Sequence, residues 1–132
     1  LISTSKYGPG ELKNSFCTPR GKHIIRAKIG TGQQLGTIFK NRRPTGEVFS
    51  ESKHRLEGGD WILTRILWLS GIEKGKNRLG NVDTMQRFIY IHGTPDATIL
   101  GVPVSKGCIN MRNEDVIQVF DLVDVGTMVD IK

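Results

Sequence analysis

Two residues of this sequence could carry nucleophilic chemistry together, Cys108 and His92. The cysteine lies in the run SKGCINM (residues 105–111), and the histidine lies in the run YIHGT (residues 90–94). A cysteine that attacks a carbonyl carbon needs a nearby base to hold it as thiolate and backbone N–H groups directed at the oxyanion that forms. Gly107 lets the backbone turn tightly and approach a substrate closely. The pair therefore indicates cysteine-histidine catalysis.

Each of these residues also has an ordinary structural interpretation when it is taken alone. A histidine at the end of a strand is commonly a satisfied polar side chain, and an isolated cysteine is commonly a buried filler. The combination favours catalysis, because an apolar strand that ends at His92 and a glycine turn that carries Cys108 can bring base and nucleophile together. The second cysteine, Cys17, lies in the loop-like context SFCTP and is interpreted as a small apolar filler.

The framework that must position these residues is predicted to be mainly β. β-branched and aromatic residues cluster in short runs whose ends are marked by Gly and Pro. The predicted strands are Leu1–Ser5, His23–Ile29, Gly36–Phe39, Asp60–Leu69, Arg87–Ile91 and Met128–Lys132.

One helix is predicted, over Glu114–Val123. Asn113 is a favourable N-cap residue, and the acidic residues that follow it suit the positive end of the helix dipole. The apolar residues of the segment recur at i, i+3, i+4 and i+7, and the stripe they form is expected to face the core: Val116, Val119, Phe120 and Val123.

Three glycine-containing segments are predicted to be connections. Residues 41–59 and 71–84 are expected to be loops that could border a cleft. Residues 30–36, GTGQQLG, are similar to a phosphate-binding loop, but the third glycine is one position late and no convincing helix follows. We interpret that segment as a hairpin connection.

Composition narrows the classes of protein that fit. The 132 residues, of which 37% are hydrophobic and 24% charged, predict a single folded domain over residues 1–132. No run approaches the roughly 18 apolar residues that a membrane span needs. The first residues show neither a basic start nor an apolar signal core, so no targeting peptide is expected within this sequence.

The charge and the possible metal ligands exclude further classes. The net charge of +6 would suit anionic partners, but the basic residues are scattered without stacking aromatics, so no nucleic-acid partner is expected. Two cysteines and three histidines show no paired ligand spacing, so neither a metal site nor a cofactor is expected.

The motifs around Cys108 and His92 resemble the catalytic core of L,D-transpeptidases, the YkuD-type family. The resemblance consists of His-Gly-Thr at 92–94, Ser-x-Gly-Cys-Ile-x-Met at 105–111, the capped helix and GTMVDI at 126–131. TPRG at 18–21 resembles a family signature near the start of the domain. The resemblance covers nearly the whole chain and implies a YkuD-like β-sandwich or barrel of short strands, with one helix from the C-terminal half packed on it.

The resemblance implies a peptidoglycan L,D-transpeptidase. The Cys108 thiolate would attack the carbonyl of the third stem-peptide residue, release D-Ala and pass the acyl group to an amine acceptor, which makes a cross-link between two third residues. Stem peptides would be the partners, carbapenem-type β-lactams would be inhibitors, and the periplasm or cell envelope would be the location.

The resemblance also assigns roles to residues of the site. His92 is the general base and acid, and Gly107 with Cys108 supplies the oxyanion donors. Ser105 steadies the turn by hydrogen bonding, and the Gly93 carbonyl orients the imidazole.

Substrate contacts are expected from Tyr90, Lys106, Asn110 and Arg112. Lys106 stands where many family members have His, and Asn110 stands where many have Arg. Lys106 could help to hold the thiolate or meet a stem carboxylate, and Arg112 could take over carboxylate recognition or be an ordinary surface charge.

Two other functions remain open at this point. Water as the acceptor would make the protein an L,D-carboxypeptidase, because acceptor choice depends on how loops admit water or amine. A non-catalytic wall-binding module could share the fold, although a decayed site would be free to lose His92 or Cys108. Cys17 and Cys108 are predicted not to form a disulfide, because the bond would consume the nucleophile.

Overall fold

The computed structural model describes residues 1–54 and 60–132. Eight strands and two helices lie within these ranges, together with a short 3-10 turn at Gly80–Val82. The strands are β1 (Ile2–Ser3), β2 (Gly21–Ile29), β3 (Thr37–Lys40), β4 (Arg43–Val48), β5 (Leu63–Gly71), β6 (Tyr90–Thr94), β7 (Ile109–Arg112) and β8 (Met128–Ile131), and the helices are α1 (Glu51–His54) and α2 (Asn113–Leu122).

One curled sheet organises the chain in the order β1-β7-β6-β5-β2-β8. Its pairs are antiparallel except for β6 and β7, which run parallel. The β3–β4 hairpin branches from this path where Ile38 pairs with Leu63 of β5. This architecture confirms the predicted mainly β fold with one principal helix.

The two faces of the sheet are covered by different elements. Successive strand residues project to opposite faces, so each strand contributes to both. On one face, Leu67 and Leu69 of β5 pack with Val116 and Phe120 of α2. On the other face, Ile66 and Tyr90 pack with Phe39 of β3, and Cys108 packs against this second cluster. The hairpin therefore covers the face that carries the cysteine, and the helix covers the opposite one.

Helix α2 confirms the predicted apolar stripe but not its cap. Val116 and Phe120 are buried, and Val119 and Val123 pack against the same cluster. The N-cap position is Arg112, which has extended backbone angles and no side-chain capping bond. The prediction that Asn113 is the N-cap was therefore wrong. Its side chain instead accepts a hydrogen bond from Thr64 Oγ1, a buried partner that only the tertiary structure supplies.

The strand that carries His92 begins later than predicted. Tight turns occupy the residues before it, where Arg87 N–H donates to Asp83 O and Phe88 N–H donates to Met85 O. Strand β6 consequently starts at Tyr90, and His92 is its central residue and does not mark its end. Strand β7, only four residues long, was missed altogether.

The predicted connections differ from the structure in two places. Residues 41–59 were expected to be a loop, but β4 and α1 lie within that segment, and residues 55–59 lie outside the described residues. The segment 30–36 is not a hairpin connection, because it joins β2 to β3, which each pair with β5 and not with each other. The segment 71–84 is largely a loop, as predicted, with one isolated bridge between Lys74 and Arg78.

Candidate active site

The parallel pairing of β6 with β7 brings His92 and Cys108 to one face of the sheet. His92 is in register with Asn110, and Cys108 immediately precedes β7. Residues two apart on a strand share a face, and residues in register on neighbouring strands project to the same side. His92, Cys108 and Asn110 therefore point to the same side, and all three line one cavity of about 290 Å³.

The imidazole of His92 is held by the backbone that follows it. Its Nδ1 lies 2.7 Å from the Gly93 carbonyl oxygen. A carbonyl can only accept, so Nδ1 carries the proton of the neutral ring and Nε2 keeps the lone pair that a base requires. Burial lowers the pKa of His92, because removal from water disfavours the imidazolium form.

The Cys108 thiol lies among backbone groups of the neighbouring strand. The Tyr90 N–H donates to Sγ at 3.3 Å, and the Sγ–H faces the Phe88 carbonyl at 3.5 Å. Burial raises the pKa of Cys108 to about 11, and the Tyr90 N–H offsets only part of that rise.

These pKa shifts favour a neutral thiol and a neutral imidazole, and both side chains line the same cavity. The sequence-based expectation of a thiolate held by His92 differs from the raised pKa of Cys108, which disfavours the charged form of the partly buried sulfur. A neutral thiol can react when a base takes its proton during the attack, which is general-base chemistry.

The loop before β7 is held in shape by its own side chains. Ser105 Oγ donates to the Cys108 carbonyl at 2.6 Å and accepts from the Gly107 N–H at 3.2 Å. Gly107 has a φ of +123°, a backbone conformation that favours glycine, and a Cβ there would also displace Ile89 Cδ1, which would lie 2.9 Å away.

The two predicted oxyanion donors are thus not equivalent. The Gly107 N–H is already engaged by Ser105, whereas the Cys108 N–H donates to no acceptor within the part of the chain that the structure describes. In this conformation the Cys108 N–H is the donor available to a bound oxyanion.

Residues near the N-terminus brace the loop from outside. Thr18 Oγ1 donates to the Gly107 carbonyl at 3.0 Å and accepts from the Ser5 N–H at 2.9 Å. The Lys6 N–H donates to the Ser105 carbonyl at 2.9 Å. Analysis of the sequence missed this role of Thr18, although the TPRG signature was a signal that the position matters.

The four predicted substrate contacts fall into two groups. Lys106 and Asn110 line the cavity, and Asn110 Oδ1 is buried without a hydrogen-bond partner among the described residues. Arg112 does not line it, since its guanidinium donates to the carbonyls of Asp96 and Thr98 and so ties the loop after β6 to β7. Tyr90 does not line it either.

Tyr90 instead takes part in the contact that fastens the hairpin. Its hydroxyl accepts from Arg42 Nη1 at 3.1 Å. The Arg42 guanidinium lies 4.9 Å from the ring centres of both Trp68 and Phe88. This cation-π contact holds the tip of the β3–β4 hairpin beside the backbone that faces the Cys108 thiol.

The remaining candidate reactive group is the thiol of Cys17. Cys17 and Cys108 are both free thiols. Cys17 Sγ lies 3.4 Å from the Tyr7 carbonyl, in a partly exposed position. Over residues 1–54 and 60–132, no three His, Cys, Asp or Glu side chains form a group that could hold a metal ion. In the same ranges no helix is long and apolar enough to cross a membrane.

Comparison with known sequences places these features in a family context. The family model of the L,D-transpeptidase catalytic domain, YkuD, matches residues 1–131. The Bacillus subtilis (strain 168) protein named L,D-transpeptidase YkuD is 38% identical over 97 residues, which are 74% of this chain and 49% of that protein. L,D-transpeptidase ErfK/SrfK of Salmonella typhimurium is 49% identical over 45 residues, which are 34% of this chain and 15% of that protein. The chain thus spans about half or less of the length of these relatives.

Solved structures share the fold. L,D-transpeptidase 3 from Mycobacterium tuberculosis, solved in complex with a faropenem-derived adduct, superimposes with a TM-score of 0.53 at 19% identity, over 99% of this chain and 43% of that one. LD transpeptidase LdtMt1 in complex with imipenem gives a TM-score of 0.50 at 20% identity, over 99% of this chain and 47% of that one. At these identities the likeness shows the β-rich architecture.

Proposed function

Since this chain belongs to the family of L,D-transpeptidase catalytic domains of the YkuD type, we propose that it is a peptidoglycan L,D-transpeptidase with Cys108 as nucleophile and His92 as base. The observation that carries the proposal is the shared cavity, in which the His92 ring keeps its proton on Nδ1 and leaves Nε2 free. That arrangement is what a neutral thiol needs in order to react.

The first half of the proposed reaction forms an acyl-enzyme. As Cys108 Sγ bonds to the carbonyl carbon of the third stem residue, the thiol proton passes to His92 Nε2. The Cys108 N–H stabilises the oxyanion of the tetrahedral intermediate. The C–N bond to D-Ala then breaks, and the imidazolium returns its proton to the leaving amine.

The second half transfers the acyl group. An amine of a neighbouring stem attacks the thioester, His92 takes the proton that this nitrogen loses, and the C–S bond breaks. The thiolate that leaves is reprotonated by the imidazolium, which restores the resting pair. The product is a cross-link between two third residues, and such a substrate would place the protein at the cell envelope or periplasm.

Covalent labelling by a carbapenem tests the nucleophile. We expect intact-mass spectrometry to show one adduct on the protein exposed to imipenem and no adduct on Cys108→Ala. The matched control is Cys17→Ala, which lacks the other free thiol and should label like the parent. The His92→Gln variant should label roughly 100-fold more slowly, within the range that general-base removal usually costs. An adduct that survives Cys108→Ala would contradict the assignment.

Product analysis tests the acceptor. Incubation with a muropeptide that carries a tetrapeptide stem should give cross-linked dimers together with free D-Ala. Free D-Ala without dimers would identify an L,D-carboxypeptidase instead. Retention on intact peptidoglycan without either product would identify a non-catalytic wall-binding module.

A further inference from the structure

Strand β5 contains a β-bulge opposite Gly93, the residue whose carbonyl accepts the Nδ1 proton of His92. The register between β5 and β6 passes from Leu63↔Gly93 to Ile66↔His92, so three steps on β5 oppose one step on β6. Thr64 sits in this bulge with a φ of +76° and is fully buried. A β-branched residue is rarely found in this backbone region, and such strain persists only where the surroundings enforce it.

The Thr64 hydroxyl connects three elements. It donates to Asn113 Oδ1 at 2.6 Å, at the first residue of α2, and it accepts from the Gly36 N–H at 3.0 Å. Asn113 is itself buried, with 5% of its surface exposed. Both hydrogen bonds join residues far apart in sequence, so they fix the bulge relative to the helix and to the residue that precedes β3.

Gly93 lies against this pair without space for a side chain. A Cβ on Gly93 would lie 2.3 Å from Asn113 Oδ1, 2.7 Å from the Leu63 carbonyl oxygen and 3.1 Å from Thr64 Oγ1. The Gly93 peptide is therefore confined between the bulge and the start of the helix. Its carbonyl is the group that accepts the Nδ1 proton of His92 at 2.7 Å.

We propose that Thr64 and Asn113 are positioning residues for His92: their hydrogen bond confines the Gly93 peptide, which in turn holds the imidazole in the tautomer with its proton on Nδ1. The pair touches neither the cavity nor the sulfur, so its effect passes through the Gly93 carbonyl. The catalytic meaning of this arrangement rests on the function proposed above, whereas its effect on the imidazole does not.

A measurement of the His92 tautomer tells whether Thr64 and Asn113 position the imidazole or only stabilise the fold. Long-range ¹H–¹⁵N NMR distinguishes a proton on Nδ1 from a proton on Nε2, and the chain has only three histidines, so a His92→Gln spectrum assigns the signals. Thr64→Val removes the hydroxyl at nearly constant shape, and Thr64→Ser keeps it. We expect the parent and Thr64→Ser to hold the Nδ1–H form and Thr64→Val to show a mixture of both.

The rate of acylation by imipenem should depend on the tautomer of His92. Thr64→Val should be acylated about tenfold more slowly or worse, in keeping with the cost of a misplaced catalytic group, and Thr64→Ser should stay within about twofold of the parent. A folded Thr64→Val protein with an unchanged tautomer and an unchanged acylation rate would overturn the proposal.

A second variant keeps the test open if Thr64→Val does not fold. Asn113→Ala removes the acceptor while Thr64 retains its bond to Gly36, and Asn113→Asp keeps an acceptor oxygen in place. The mixed tautomer is expected in Asn113→Ala and not in Asn113→Asp, and the Nδ1–H form in both would also overturn the proposal. If the parent were never acylated, the proposed function would fail, while the tautomer populations would still decide the positioning role.

Discussion

The sulfur of Cys108 combines two properties that are usually opposed in a nucleophile. It lines a cavity, yet burial raises its pKa to about 11, because the surrounding strands and hairpin withhold the water that would solvate a thiolate. The function proposed above therefore depends on proton transfer during the attack and not on a standing population of thiolate. His92, neutral and with Nε2 unprotonated, is suited to receive that proton.

The pH dependence of two reactions of Cys108 should consequently differ. In a Cys17→Ala background, alkylation by iodoacetamide needs the free thiolate, so its rate should rise about tenfold for each pH unit from neutrality towards a pKa of about 11. Acylation by imipenem is assisted by His92, so it should be nearly level between pH 7 and 9. It should decline only as the pH falls through the depressed pKa of His92, which lies below 6.5.

Stopped-flow or quenched mass spectrometry at a series of pH values measures both rates. The Cys108→Ala variant in the same background supplies the baseline for each reagent. An alkylation rate that is already at its plateau below pH 8 would mean that the resting group is a thiolate and would contradict this account.

At the scale of elements, the β3–β4 hairpin lies over the face of the sheet that carries Cys108. Its two-residue tip, Asn41 and Arg42, has φ values of +49° and +63°, the geometry of the tight turns that suit antiparallel strands. Phe39 belongs to the apolar cluster against which Cys108 packs. The tip is fastened by the Arg42 guanidinium between Trp68 and Phe88 and by its bond to the Tyr90 hydroxyl.

Removal of this contact should expose the thiol. In Arg42→Ala we expect the hairpin tip to detach more often, the pKa of Cys108 to fall towards that of a solvated thiol, and iodoacetamide alkylation at pH 8 to become about tenfold faster for each unit of that fall. Arg42→Lys keeps the charge but loses the planar stacking surface, so it should be intermediate.

Arg43→Ala is the matched control, because Arg43 is the neighbouring exposed residue of the same hairpin. It should alkylate at the rate of the parent. Equal rates for Arg42→Ala and Arg43→Ala would show that the guanidinium contact does not govern access to the sulfur.

At the scale of the whole molecule, two buried histidines connect stability to pH. His23 is fully buried, with Nδ1 3.0 Å from the Gly21 carbonyl and Nε2 2.9 Å from Thr84 Oγ1, and burial lowers its pKa. His92 is likewise buried, and burial lowers its pKa too. Below about pH 6.5 the unfolded chain binds protons at both positions while the folded chain resists them, so the free energy of unfolding falls with the pH.

We expect the urea midpoint to be level above pH 7 and to decrease from pH 6.5 to 5, because the free energy of unfolding falls by up to about 1.4 kcal/mol per pH unit for each histidine. Glu47 and Glu73 have lowered pKa values, so their contribution to the free energy of unfolding is lost only below pH 4.5. The decrease between pH 6.5 and 5 is therefore due to the histidines. Denaturant titrations at several pH values measure the effect. His23→Gln should be less stable overall but should show a shallower slope, and an unchanged slope would exclude His23 as a source.

The sequence alone was enough to predict most of the strands, the apolar stripe of α2 and the candidate site residues, because the signals for them are local. Runs rich in β-branched and aromatic residues predicted most of the strands, and apolar residues at i, i+3, i+4 and i+7 predicted the stripe of α2, since both signals follow from local backbone geometry. The spacing of His92, Gly107 and Cys108 likewise predicted a candidate pair that the structure brings into one cavity, since a nucleophile, its base and a flexible backbone are chemical requirements that residue types can reveal.

Tertiary structure alone decided how that pair is held. The four-residue strand β7 has too little sequence to show a period, and its pairing with β6 is what brings the cysteine and the histidine to one face of the sheet and into one cavity. The state of the thiol, the bond from Thr18 to the Gly107 carbonyl and the diversion of Asn113 from capping to Thr64 all join residues distant in sequence. Burial and hydrogen bonding between such residues depend on their positions in space, and those positions exist only once the whole sheet has formed.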